Sequence, residues 1–251
     1  MNIINYLVVN VFLLSVSAFV YILNTNIVMA YLVHLLKTLI IMAFVSHVQR
    51  DKDYITPRSN IYPPETIINF YGMIFIESCA DQVILHGFSL PDTNVVYDLV
   101  TFIPKSFLLE VVYDFMHYWM HRLSHANKYL YQNFHKYHHS KINITYGDTY
   151  YHHPIDFIIS NVIPWMIAMY IMKMSAFQCI VATTYKTIVE VSGHTGKNIH
   201  QGSFPQFPWL TSYLHIALYT HDHDAHHRYL NCNYAKRFAL WDKIFGTHRT
   251  F

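Results

Sequence analysis

Histidine occurs in three closely spaced groups in this sequence. HKYHH at 135–139 and HDAHH at 223–227 share the pattern His-x-x-His-His, and HRLSH at 121–125 places two histidines four residues apart. Residues four apart on a helix lie on one face, with Cβ atoms about 5–6 Å apart, which suits two ligands of one metal ion. Adjacent histidines diverge by roughly 100° around a helix. Two adjacent histidines are not needed to bind one metal ion, whereas they could bind two neighbouring ions, one each.

The three groups therefore predict a site for two metal ions, with no catalytic residue separate from the ligands. The predicted ligands are His121, His125, His135, His138, His139, His223, His226 and His227. His194, in SGHTG, follows the last long apolar run and is placed to add a ninth imidazole. His117 could be a ligand or a residue of the interfacial aromatic belt. Four others could be extra ligands, hydrogen-bond partners of ligands or surface residues: His153, His200, His215 and His221. Asp222 and Asp224 could accept hydrogen bonds from imidazoles.

Ligation by imidazole alone suits iron, zinc, copper or nickel. A hydrolytic zinc site usually has three protein ligands and an open water position, and the motif HExxH is absent. Two redox-active ions beside apolar segments favour activation of dioxygen and attack on an unactivated C–H bond. Two other classes of protein are the alternatives. A metal-transport or metal-binding membrane protein would place ionisable ligands inside its spans, and a b-type haem needs only two axial histidines.

The elements that must position these histidines are apolar. Of the 251 residues, 53% are hydrophobic, and the formal net charge of +2 gives no indication of a nucleic-acid partner. The runs 6–23 and 27–45 are each long enough to cross a hydrocarbon layer of about 30 Å, and NTN between them predicts a helical hairpin. The first run lacks the features of a cleaved signal peptide, so we expect it to remain.

A second hairpin is predicted at 155–174 and 177–191, between the two His-x-x-His-His copies. The segments 66–88 and 97–118 contain charged residues and are expected to cross only in part. Because two crossings separate the copies, both are expected on one side of the membrane. The segments 47–65, 122–153 and 193–251 hold 3, 4 and 6 Lys and Arg residues, whereas the opposite turns hold only Lys173. The positive-inside rule then places the histidines in the cytoplasm.

These patterns predict an all-α integral membrane protein with about four transmembrane helices and a cytosolic, histidine-rich helical cap. We expect one membrane domain over 1–251. Its parts are an amino-terminal hairpin (1–46), a polar connector (47–65) and a catalytic region (66–251).

Five motifs in order resemble the fatty acid hydroxylase/sterol desaturase superfamily of integral membrane di-iron enzymes. They are DFMHYWMHRLSH, FHKYHH, HHPID, HDAHH and NCNYAKRFALWDKIFGT, and they cover about 114–247. The resemblance implies that the eight histidines of the three groups are iron ligands, and His194 is similar to an additional family ligand. HTG and the last two motifs are similar to those of cholesterol 25-hydroxylases, and C-5 sterol desaturases share the same skeleton. Departures are His117, where relatives more often have an aromatic residue, and Asp156, where many have Glu.

The resemblance also implies an activity and its partners. We expect an oxidoreductase of the endoplasmic reticulum that uses two iron ions and O₂ to hydroxylate or desaturate a sterol or fatty-acyl substrate in the membrane. The sequence contains no His-Pro-Gly-Gly segment like that of cytochrome b5. Electrons from NAD(P)H are therefore expected through an external donor, cytochrome b5 and its reductase. Hydroxylation and desaturation begin with the same hydrogen abstraction, so histidine spacing does not separate them.

Overall fold

The structure is a computed structural model that describes residues 2–55, 64–141, 144–199 and 203–250. These ranges are mostly helical and contain no β-strand, which confirms the predicted all-α class. In chain order the helices are α1 (Ile3–Leu23), α2 (Ile27–Val48), α3 (Pro64–Gly87), α4 (Val95–Ala126), α5 (128–139), α6 (Pro154–Met172), α7 (Ala176–Gly193), α8 (Pro208–Tyr213), α9 (Thr220–Tyr229) and α10 (Leu240–Ile244). The predicted connector at 47–65 falls between α2 and α3, with 56–63 outside the described residues.

The amino-terminal hairpin forms as predicted. Asn24 ends α1, and the side chain of Asn26 caps α2 by accepting hydrogen bonds from the backbone N–H groups of Val28 and Met29 at 3.1 and 3.0 Å. Asparagine at this position satisfies N–H groups that have no partner inside the helix. The short NTN connection therefore returns the chain antiparallel to itself.

Four of the described helices, α1, α2, α3 and α6, are long and apolar enough to cross a membrane. The predicted number is confirmed, but the members differ. Helix α3, whose segment was expected to cross only in part, qualifies, whereas α7, which contains the predicted crossing at 177–191, does not. The reason is that α7 lies inside the bundle, with every residue of 178–191 buried. A helix enclosed by protein needs no apolar surface toward lipid.

Ion pairs satisfy the polar side of α7. The ammonium of Lys186 lies 2.5 Å from Oε1 of Glu77 on α3 and 3.1 Å from Oε1 of Glu190 one turn later. A buried charge is tolerated only when it is paired in this way. The pair with Glu77 holds α7 against α3. Helix α7 ends at Gly193, so that His194 follows directly.

Helix α4 positions the first histidine group. Its 32 residues correspond to a length of about 48 Å, which exceeds a hydrocarbon layer of about 30 Å. Near its middle, the buried carboxylate of Asp114 accepts hydrogen bonds from three successive backbone N–H groups of 236–238, at 2.8, 2.8 and 3.1 Å. These bonds tie the carboxyl-terminal segment of the chain to α4, next to His121.

Two helices contain a π-helical turn, at Tyr131–His135 in α5 and at Ile158–Val162 in α6. Such turns insert one extra residue per turn and are frequent at functional sites. The first ends at a predicted ligand, His135. The second contains Ser160 and Asn161, which line the same cleft as that ligand. Both turns therefore lie beside the predicted metal site.

Candidate metal centre

All nine histidines predicted as ligands come together where α4, α5, α7 and α9 meet. They form two clusters, and in each cluster the nitrogens that could bind an ion all lie within 4.8 Å of one another. The first cluster consists of His121, His125, His135, His139 and His226, and the second cluster of His138, His194, His223 and His227. Among the described residues, no cysteine or carboxylate belongs to either cluster.

The doubled histidines divide between the clusters. His139 belongs to the first cluster and its neighbour His138 to the second, and likewise His226 belongs to the first and His227 to the second. Each adjacent pair separates because consecutive side chains are rotated by about 100° around the helix axis. Histidines four apart stay together, as in the pair His223 and His227. One short helix can thus contribute to both clusters.

Backbone carbonyls orient the imidazoles. The Nδ1 atoms of five histidines lie at hydrogen-bonding distance from carbonyl oxygens: His121 from Tyr234 at 2.7 Å, His138 from Tyr151 at 3.1 Å, His194 from Glu190 at 2.8 Å, His226 from Cys232 at 2.7 Å and His227 from Lys141 at 3.0 Å. A carbonyl oxygen can only accept, so Nδ1 carries the proton. The lone pair is then on Nε2, the atom that a metal ion needs.

The Nε2 atoms point at one another. In the first cluster, His135 lies 3.0 Å from His125 and from His139, and His139 lies 3.2 Å from His226. In the second cluster, Nε2 of His223 lies 3.1 Å from that of His194. Two nitrogens that each lie about 2.1 Å from one ion are at most about 4.2 Å apart, so these separations are compatible with a shared ion.

Two further Nε2 atoms support this fit. Those of His121 and His227 are buried and have no hydrogen-bond partner. A buried polar atom without a partner is costly unless something else binds it. With one such atom in each cluster, the donor set fits two metal ions.

Burial also keeps the imidazoles neutral. Loss of hydration, and then the neighbouring imidazoles, lower the pKa of His138, His139 and His223 well below the ordinary value. Burial lowers the pKa of His194 and of His226 to about 3. Neutral imidazole is the form that binds metal ions. These five imidazoles are therefore ready to bind ions at neutral pH without first releasing protons.

Asp156 and His152 belong to the site but were not predicted as parts of it. The carboxylate of Asp156 lies 3.1 and 3.0 Å from Nδ1 of His135, and 3.7 Å from Nδ1 of His152. The ring of His152 stacks on that of His138, with centroids 4.0 Å apart. The available signal was the motif HHPID, which places an imidazole and a carboxylate four residues apart.

Lys236 also went unpredicted. Its ammonium lies 3.3 Å from Oε1 of Glu190 and 2.5 Å from the side-chain oxygen of Asn161. It lines the cleft between the two clusters, which is also lined by His121 and His138. Burial lowers the pKa of Lys236 to about 8. No local sequence pattern marks this lysine, because its partners lie on α6 and α7.

The remaining candidates that the structure describes lie outside both clusters. Nδ1 of His117 donates to the carbonyl of Ser160 at 2.6 Å, and its ring lies 5.2 Å from that of His121. His153 caps α6, and His221 pairs with Asp222 at 3.6 Å. Asp222 also accepts from the backbone N–H of Tyr219, whereas Asp224 pairs with Arg228 at 2.8 Å. His215 lies just beyond α8 with φ 54°, and His200 is outside the described residues.

Comparisons with known proteins consistently identify one family. The sequence model of the fatty acid hydroxylase family matches residues 106–247. A sphinganine C4-monooxygenase of Arabidopsis thaliana is 29% identical over 148 residues, which are 56% of this chain and 52% of that protein. A methylsterol monooxygenase of Rattus norvegicus is 30% identical over 138 residues, 55% of this chain and 44% of that protein. A sphingolipid C4-hydroxylase of Saccharomyces cerevisiae is 28% identical over 165 residues, 63% and 45% of the two chains.

The chain spans about half the length of the curated relatives it matches. No solved structure matches it significantly.

Proposed function

The chain belongs to the fatty acid hydroxylase family, and from this premise we propose that it is an O₂-dependent di-iron oxidoreductase that hydroxylates or desaturates a sterol or fatty-acyl lipid in the membrane. The observation that carries the proposal is the pair of imidazole clusters, with Nε2 atoms 3.0–3.2 Å apart. The names of its relatives, which are monooxygenases and hydroxylases of sphingolipids and sterols, support this chemistry.

The nine histidines would hold one iron ion in each cluster. Bound iron would supply the binding and two-electron reduction of dioxygen that C–H oxidation requires. The chain's own part is to hold the imidazoles still, through the carbonyl oxygens on Nδ1 and the carboxylate of Asp156 on His135. Such outer partners fix the orientation of a ligand and raise its basicity.

The protein also restricts what reaches the centre. The cleft between the clusters has a volume of about 20 Å³, which is room for little more than one water-sized molecule. Small reactants such as dioxygen fit there, whereas bulk water is excluded by the buried imidazoles around it. Exclusion of water protects reactive groups from side reactions. The ammonium of Lys236 is the cation in this cleft and can donate hydrogen bonds into it.

The position of the clusters disfavours the alternative of metal transport. All nine histidines lie outside the four candidate spans, whereas a transport pathway places its ionisable groups within them. We further propose that the clusters face the cytoplasm at the endoplasmic reticulum, on the basis of the distribution of Lys and Arg. Electrons from NAD(P)H would arrive there through cytochrome b5 and its reductase.

The test is a comparison of lipids from eukaryotic cells that express the wild type or His138→Ala under ¹⁸O₂. A new lipid that contains ¹⁸O would establish hydroxylation, and one lacking two hydrogens would establish desaturation. The purified wild-type protein should contain two iron ions per chain by elemental analysis. The proposal fails if the iron-loaded protein, supplied with reductant and membrane lipids, leaves every sterol and fatty-acyl species unchanged.

A further inference from the structure

A large cavity lies between α1, α2 and α7, apart from the histidine clusters. This outer cavity has a volume of about 570 Å³, within the range of small-molecule sites. It is walled mainly by aliphatic and aromatic side chains, among them Val9, Phe44, Val45, Ile188 and Val189. It sits where α1 begins and where α2 and α7 end, which is the end of the bundle that carries His194.

The outer cavity opens at the exposed surface of two candidate membrane-spanning helices. Val8 on α1 and Val48 on α2 both line it, and their side chains are 53% and 54% exposed. Both residues belong to candidate membrane-spanning helices. An apolar molecule could therefore pass from the bilayer between these helices without crossing water.

Adjoining spaces that share wall residues lie between the outer cavity and the histidines. Val189 and Ser203 line both the outer cavity and a smaller connecting cleft. The connecting cleft is also lined by His194 and His223 of the second cluster. These two histidines in turn line the cleft between the clusters. The exposed apolar surface of α1 and α2 is thus connected, through shared wall residues, to the candidate metal centre.

The widths of these spaces discriminate between classes of lipid. The connecting cleft has a volume of about 40 Å³, enough for a few waters at most. A single methylene chain could pass it with small side-chain movements, whereas the four fused rings of a sterol would have to displace packed backbone. The wide outer cavity and narrow cleft together favour a linear aliphatic chain.

The rim of the outer cavity contains a buried acceptor without a partner. Oε1 of Gln49, at the end of α2, accepts no hydrogen bond from the described residues. An unpaired buried oxygen favours a ligand that brings a donor, and because Lys52 also lines the cavity an uncharged hydroxyl suits it better than an ammonium group. The polar head of a lipid would lie here, at the edge of the membrane-crossing part of α2.

The geometry points to the outer cavity as the binding site for the substrate, and to that substrate as a single-chain lipid with a hydrogen-bond donor in its head group. This inference rests on the proposed function, since it assigns the substrate class of the same centre. The head group lies at Gln49, and the hydrocarbon chain runs past Val189 to His194 and His223.

The test is photolabelling of the full chain, purified in detergent and loaded with iron. The probe is octadecanol that carries a diazirine in its chain, and affinity is measured by competition with unlabelled octadecanol. Val8→Trp and Val48→Trp introduce a large side chain into the cavity at positions that are partly exposed. Their matched controls are Val11→Trp and Val28→Trp, on the same two helices, where the side chains are 62% and 64% exposed and line no part of the cavity. Iron content serves as the measure of correct folding.

We expect labelling of α1, α2 and α7 in the wild type and the controls. Val8→Trp and Val48→Trp should weaken binding about tenfold or more, because displacing about two methylene groups has that effect. Gln49→Leu should weaken binding of octadecanol about threefold to tenfold and leave that of its methyl ether unchanged. Three results would overturn the inference: labelling outside α1, α2 and α7, an affinity for octadecanol in Val8→Trp and Val48→Trp equal to that of the wild type, or labelling by a diazirine-bearing cholesterol as strong as that by the octadecanol probe.

The readout separates this inference from the proposed function, because binding requires no turnover. Wild-type binding that the lining variants abolish, without oxidation of any lipid, would reject the proposed function and keep the site. Lipid oxidation that proceeds equally in Val8→Trp and Val48→Trp would keep the proposed function and reject the site.

Discussion

Replacement of Asp156 should selectively weaken the binding of one of the two metal ions. The carboxylate is 4% exposed and lies 3.0–3.1 Å from Nδ1 of His135, a member of the first cluster. Hydrogen bonds that involve a charged group contribute about 1.5–3 kcal/mol, roughly twice as much as neutral ones. Asp156→Asn keeps an acceptor and loses the charge, so it should cost about 1–1.5 kcal/mol, or roughly tenfold in metal affinity.

Asp156→Ala should have a larger effect. It removes the acceptor and leaves Nδ1 of His135 buried without a partner, which should lower affinity by up to about 100-fold. The assay is titration of the metal-loaded protein with a competing chelator, with the ions remaining per chain counted by elemental analysis. Both variants should lose one ion at lower chelator concentration and retain the second longer. Asp98→Asn is the matched control, because Asp98 is buried at the opposite end of α4, where it accepts from Thr93 and Ser175.

The reasoning would be refuted in either of two ways. Asp156→Asn and Asp156→Ala could bind both ions as tightly as the wild type and Asp98→Asn do. Alternatively, the weakened ion could prove to be the one bound by the second cluster, as judged from its response to His138→Ala.

Three further predictions concern the clusters and the helix that supports them. His139→Ala and His138→Ala should each leave one ion per chain but remove different ions, because the two side chains belong to different clusters. The double variant should lose both ions. Elemental analysis, with a spectroscopic signature for each ion, measures how many ions remain and which ones. The metal-free protein should lose stability as the pH falls below about 6.5. In the folded protein the pKa of His194 and of His226 is lowered to about 3, so below about pH 6.5 the unfolded chain binds protons that the folded chain does not bind. Thermal unfolding between pH 8 and pH 5 measures this loss, and a constant midpoint would contradict it. Lys186→Met should destabilise the protein by about 3–5 kcal/mol, since Glu77 would lose its buried cation and Glu190 would be left with Lys236 alone. Adding Glu77→Gln should restore part of this loss in thermal unfolding, and a fully stable single variant would show that the ion pairs are not needed.

Several features were predictable from the sequence because they depend on local geometry. The division of His138 from His139 follows from the rotation of one residue around a helix, whatever the rest of the chain does. The number of apolar spans follows from length and composition, and NTN marks the turn between the first two. The histidine pattern, repeated on two segments of the chain, is therefore sufficient to predict imidazole ligands for two ions.

Tertiary packing decided the features that depend on partners far apart in the chain. The acceptor for His121 is the carbonyl of Tyr234, 113 residues away, and that for His135 is Asp156 on another helix. Burial of α7 could not be predicted from its own residues, because the other helices enclose it and Glu77 of α3 pairs with Lys186. Sequence spacing separated adjacent histidines and kept together those four apart on one helix. Only the folded chain determined which atoms orient them, because hydrogen-bond partners are chosen by proximity in space.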